Sequence, residues 1–168
     1  MGQCNMPLRL AQMLRGVLSA ELPNLQSISE DSADASAARP GAWTIKQELG
    51  HLLDSAANNH IRFVRAGLGP EFRGPGYEQG DWVALHHYQD LPWTTLTDFW
   101  HRYNMLLAHL VENIPEAALS NPVVIGSGSD LTLAFVIEDY ILHMQHHLDH
   151  ILARPIITTY PGAAQPHL

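Results

Sequence analysis

Residues 132–153 read TLAFVIEDYILHMQHHLDHILA. Leu133, Ile137, Tyr140, Met144 and Ile151 recur at helical spacing, Thr132 suits the start of a helix, and Pro155 follows its end. The segment is therefore an amphipathic helix, and its histidines make it unusual. The chain has 11 histidines in 168 residues. Four of them, His143, His146, His147 and His150, fall inside this helix. They form two i, i+4 pairs, each separated by about 40° around the axis and about 6 Å along it, so either pair could bind one metal ion. Rotation at about 100° per residue separates the pairs. With Tyr140 at zero, His147 lies at about −20° and His143 at about −60°, whereas His150 lies at about −80° and His146 at about −120°, beside Asp139 toward the polar side. The inward pair is His143 and His147. Two neutral imidazoles buried one turn apart both need partners, and one cation supplies them together.

Three further helices are expected upstream. The first runs from about Pro7 through Leu10, Met13, Leu14, Val17 and Leu18 and stops near Pro23. A Ser, Ala and Asp linker then leads to Arg39-Pro40-Gly41. The second begins at Thr44, which forms a capping box with Gln47, and Ile45, Leu49, Leu52, Ala56 and Phe63 line one side until Gly67, Gly69 and Pro70. Residues 67–93 form a long connection with a short helix around Trp82 to His87, a candidate lid. The third helix starts near Thr95, with Asp98 in capping position, and ends before Pro115. Asn121 to Asp130 reads as a loop in which Pro122-Val-Val-Ile is the best strand signal, and residues 155–168 form an extended tail with three prolines. Four amphipathic helices with long connections after the first and second imply an all-α four-helix bundle, one domain over residues 1–168.

Composition narrows the function. Nine Lys plus Arg against 17 Asp plus Glu give a formal charge of −8, and Lys46 is the only lysine, so a nucleic-acid partner is not expected. The single cysteine, Cys4, cannot form an intramolecular disulfide. Arg9 and Arg15 interrupt any signal-peptide core, Met6 replaces the Ser or Thr of a myristoylation signal, and no apolar run approaches a membrane span. The reading is a cytoplasmic protein without a membrane partner.

A metal held by His143 and His147 needs a third ligand from another helix. Periodicity puts His60 nearer the centre of the second helix's apolar stripe than His51, which lies on its flank, while His101 and His109 on the third helix are remoter choices. Pattern alone leaves this open. The segment Arg39-Pro-Gly-Ala-Trp-Thr-Ile-Lys-Gln-Glu-Leu-Gly-His-Leu-Leu-Asp-Ser, with Ile61-Arg-Phe beyond it, resembles the second-helix signature of the DinB/YfiT-like superfamily, closest to its YfiT branch of metal-dependent hydrolases. Asp139-Tyr-Ile-Leu-His-Met-Gln-His-His-Leu-Asp-His-Ile resembles the same branch's last-helix motif, and Asp81-Trp82 and Phe99-Trp-His-Arg-Tyr resemble its middle segments. The resemblance implies a four-helix bundle, commonly a homodimer, that holds one divalent metal through His51, His143 and His147. Gly50 departs from relatives that carry another His there, without affecting a ligand.

Three neutral imidazoles leave coordination positions open, and the donor set accommodates Zn, Ni, Mn or Fe. Water on such an ion has its pKa lowered toward about 7, which makes hydrolysis of a small-molecule substrate the leading expectation. The same position would accept a thiolate, and some relatives resemble bacillithiol-type S-transferases. The remaining alternative is a non-catalytic metal-binding dimeric module. Glu48 and Asp139 are the candidate carboxylates for orienting the imidazoles, and Trp82, His86, His87 and Tyr88 offer contacts for a substrate beneath the long connection. A di-iron site would need a second Glu-x-x-His, and the sequence also lacks H-E-x-x-H, G-x-S-x-G, P-loop and dinucleotide-binding patterns.

Overall fold

The computed structural model describes residues 5–36, 42–156 and 158. Four long helices, α1 (Met6–Gln26), α3 (Ile45–Leu68), α5 (Trp93–Glu112) and α6 (Leu133–Ile151), form the bundle, with shorter helices α2 (Glu30–Ala33) and α4 (Gln79–His86) in the connections. Among the described residues three short strands, β1 (Phe72–Gly74), β2 (Pro122–Ile125) and β3 (Leu131–Thr132), make a sheet in the order β1-β2-β3. The β1 and β2 strands are parallel, with Phe72 opposite Val123, and β3 runs antiparallel to β2.

Around the bundle the helices follow the order α1, α5, α3, α6, so α3 lies between α5 and α6 while α1 sits diagonally across from it. Chain-consecutive α1 and α3 are thus diagonal, as are α5 and α6. Both connections must cross an end of the bundle, which explains why neither is a tight turn. The apolar stripes meet in one core that includes Leu10, Leu14, Leu18, Leu49, Phe63, Trp100, Leu107 and Met144.

Local chemistry sets the helix that bears the first site residues. Thr44 Oγ1 accepts from Gln47 N at 3.2 Å and Gln47 Oε1 accepts from Thr44 N at 3.0 Å, the reciprocal capping box expected from the sequence. Lys46, only 3% exposed, reaches Glu30 at 2.5 Å and Asp34 at 2.8 Å and ties α2 to α3.

Two helix boundaries and one connection differ from expectation. Pro23 lies inside α1, which continues to Gln26, where Ser27 N closes the end on Pro23 O and Asn24 O. The α5 helix begins at Trp93 rather than Thr95, and Asp98 is an exposed residue within it. Its start is capped from elsewhere: Glu30 accepts from Trp93 N, and the indole Nε1 donates to Leu25 O, both at 2.9 Å. Residues 67–93 are no open lid, because β1, α4 and the buried Phe72, Tyr77, Val83 and Tyr88 pack this segment onto the bundle. The expected extended tail lies mostly outside the described residues.

Candidate metal centre

The neighbouring helices α3 and α6 bring His51, His143 and His147 together. One ring nitrogen from each lies within 4.8 Å of the others. His51 Nε2 and His143 Nε2 are 3.2 Å apart, and the His147 ring centroid is 4.6 Å from that of His51 and 4.4 Å from that of His143. His51 is fully buried and His143 nearly so. Burial, reinforced by neighbouring His147, pushes the His51 pKa down to about 3, and burial with the same crowding holds His143 well below the ordinary imidazole value. Both rings are therefore neutral at pH 7 and offer lone pairs.

Glu48, one turn before His51, supplies the carboxylate on this side. Its Oε1 lies 2.5 Å from His147 Nδ1 and 3.1 Å from His150 Nδ1. Burial works to raise the Glu48 pKa, but the hydrogen bonds and charges of His147 and then His150 outweigh it, so the carboxyl titrates below its usual range. An ionised Glu48 accepts the His147 Nδ1 proton and leaves Nε2 as the free donor of that ring. Trp43 packs beside His51 with ring centroids 5.2 Å apart. Three imidazole nitrogens, one on a ring hydrogen-bonded to a carboxylate, fit a divalent cation of borderline softness.

Gly50 has a local reason in this chain. A Cβ there would collide with the Tyr88 ring, which lies against the α3 backbone and donates its hydroxyl proton to Asp54 Oδ1 at 2.6 Å. The exposed His86 stacks on Tyr88 and brings Nδ1 to 3.2 Å from the same oxygen. Burial pushes the Asp54 pKa up against the opposing effects of Tyr88 and His86.

The other candidates sort by position. His60, nearer the stripe centre in the sequence, hydrogen-bonds Tyr103 at 3.0 Å outside the cluster, and His101 and His109 lie on α5. His146 faces the Thr158 carbonyl at 3.3 Å. Asp139, placed toward the polar side by the helical wheel, is instead buried at 5% exposure, near Ser55, Asn59 and Arg62 of α3. Of the suggested substrate contacts, Trp82 is half-buried, Tyr88 is buried, and His86 and His87 are exposed.

The sequence profile of the DinB superfamily matches residues 14–151. The chain belongs to the DinB superfamily. Among its relatives, a Bacillus licheniformis protein named "Putative metal-dependent hydrolase" is 27% identical over 116 residues, covering 68% of this chain and 66% of the relative. An Oceanobacillus iheyensis protein of the same name is 29% identical over 116 residues, covering 67% of this chain and 65% of the relative. The chain thus matches just under two-thirds of the length of these relatives. The solved structure of YfiT from Bacillus subtilis, described as a probable metal-dependent hydrolase with an unusual four-helix bundle topology, superposes with a TM-score of 0.75 at 21% identity, covering 91% of this chain and 87% of YfiT. This likeness shows that the DinB-superfamily chain shares the YfiT fold.

Pairwise contacts that the sequence reading missed include Glu48 with His150 and Tyr88 with Asp54. It also missed a polar row on α3, in which His51, Ser55, Asn59 and Arg62 are all buried. The signal was present in the spacing: steps of four, four and three residues keep a row on one helix face.

Proposed function

We propose that this DinB-superfamily protein is a metal-dependent hydrolase of a small-molecule substrate, with one divalent cation held by His51, His143 and His147. The observation that carries the reading is the convergence of three imidazole nitrogens within 4.8 Å, with two of the rings buried. A divalent ion bound there supplies Lewis acidity, which polarises a carbonyl and lowers the pKa of water toward about 7. The protein's own contribution is orientation and neutrality. Burial keeps His51 and His143 unprotonated, Glu48 Oε1 lies 2.5 Å from His147 Nδ1, and Trp43 flanks His51. A donor set of three imidazoles would add no negative charge to a bound Zn, Ni, Mn or Fe ion and would leave positions for substrate.

Elemental analysis of protein purified without nickel resin tests the ligand set. Wild type and the control His146→Ala are expected to carry near-stoichiometric metal, and His51→Ala, His143→Ala and His147→Ala to lose it. Metal-free wild type, or loss confined to His146→Ala, would refute the assignment. Assays of the metal-loaded protein on esters and amides then test the reaction. Turnover with water alone supports hydrolysis, turnover only with added thiol replaces it by S-transfer, and metal retention without either supports a binding module.

A further inference from the structure

Ligands inside a protein need a way for the metal to reach them. His51 is fully buried and His143 is 6% exposed. Exposure rises stepwise along one edge of the cluster, where the side chains of Glu48 and His147 are 12% and 13% exposed and that of His150 is 33% exposed. At His143, by contrast, the recess shared with Ser55, Asn59 and Arg62 holds about 10 Å³, room for about one water molecule. The buried guanidinium of Arg62 lines that recess and repels a cation.

The graded edge is itself a set of metal donors. Glu48, His147 and His150 each bring one ligand atom within 4.8 Å of the others. Glu48 Oε1 is the hub, 2.5 Å from His147 Nδ1 and 3.1 Å from His150 Nδ1. His147 also belongs to the buried trio, so the two groups share a ligand. A carboxylate with two imidazoles suits the same borderline divalent ions as three imidazoles do.

The wider electrostatics favour a cation here. The α6 helix ends at Ile151, so His150 lies in its last turn and His147 just before it, where the free carbonyls give the helix end a partial negative charge. The nearby Arg154 is engaged by Glu21 and Asp149, and Lys46 by Glu30 and Asp34, which offsets both charges. The formal charge of −8 draws cations toward the whole chain.

We infer that Glu48, His147 and His150 form an outer cation site through which a divalent metal ion enters, and that the shared His147 passes it to His51 and His143. In the outer site each ring ligates through Nδ1 and carries its proton on Nε2. Transfer inward requires His147 to exchange tautomer through solvent water, so that Nδ1 again donates to Glu48 and Nε2 faces the buried pair. The inference rests on the three-histidine reading for the destination of the ion, while the outer site is measurable without it.

Cobalt(II), a coloured substitute for zinc, is the probe. His51→Leu/His143→Leu removes the inner ligands and keeps the outer trio. Calorimetric titration of this variant should show one cobalt ion bound, and adding His150→Gln should abolish that binding. Glutamine can still donate a hydrogen bond to Glu48 but is a poor metal ligand, so a merely structural contact would survive the change. In the otherwise wild-type chain, stripped by chelator and mixed with cobalt(II) in stopped flow, His150→Gln should slow growth of the cobalt absorption band about tenfold or more and leave its final height unchanged. The exposed His109→Gln should alter neither measurement.

The inference is overturned if the variant without inner ligands binds no cobalt, or binds it equally well with His150→Gln. It is also overturned if stripped His150→Gln loads at the wild-type rate. If the variant without inner ligands does not fold, the loading rate decides. Failure of the three-histidine reading appears separately: wild type then purifies without metal, while the variant lacking His51 and His143 still binds cobalt through the outer trio.

Discussion

Glu48 and the buried histidines make the candidate centre sensitive to single-residue changes. In Glu48→Gln the side chain retains its size but loses the charge that accepts from His147 and His150. Metal affinity is expected to fall about 10- to 100-fold, read by competition with a chromophoric chelator, with helix content unchanged. The pH dependence follows from His51, whose pKa is about 3 in the folded chain against about 6.5 when unfolded. Between those values the unfolded state binds the extra proton. The stabilisation is therefore present above about pH 6.5 and is lost as pH falls toward 3, and His143 acts in the same direction. Urea denaturation of metal-stripped protein from pH 8 to pH 5 should show falling stability, with a shallower slope in His51→Gln.

Gly50 shows how one element is adapted to another. Ala normally favours a helix interior over Gly by about 1 kcal/mol, but here its methyl group would displace the Tyr88 ring and its hydrogen bond to Asp54. Overpacking of this kind costs about 1–3 kcal/mol, so Gly50→Ala is expected to destabilise the protein despite its better propensity, as equilibrium denaturation would show. The α3 capping box was legible because its Thr and Gln are adjacent in sequence and act locally. The start of α5 was not, because its cap is Glu30, on a helix 63 residues away in the chain. Likewise, the connection over 67–93 looked like a lid because its glycines and prolines advertise turns, whereas the burial of Phe72, Tyr77 and Tyr88 appears only once the bundle is assembled.

At the scale of the fold, the cluster joins α3 to α6, so a metal ion bound there would be coupled to folding. Free metal at about 1,000 times its dissociation constant should add about 4 kcal/mol of stability. Chelation should lower the melting temperature of wild type and leave His51→Ala unmoved in calorimetry. The ring order α1, α5, α3, α6 is what makes this coupling possible, since it places the two histidine-bearing helices side by side. No described helix is long and apolar enough to cross a membrane.

The helical class and the inward-facing positions of His143 and His147 were legible in the chain, and the resemblance of Trp43-Thr44 to Ser55 to a family signature nominated His51. Periodicity ranks positions only within a single helix, so it could not choose between His51 and His60. The tertiary structure turns His51 toward His143 and His147 on α6 and leaves His60 with Tyr103. It also places Glu48 on His147 and His150 and buries Arg62 without an ionic partner among the described residues. The physical reason is that ligand geometry and the cost of buried charge depend on which helix faces which, and the helix order around the bundle has no local signal in the chain.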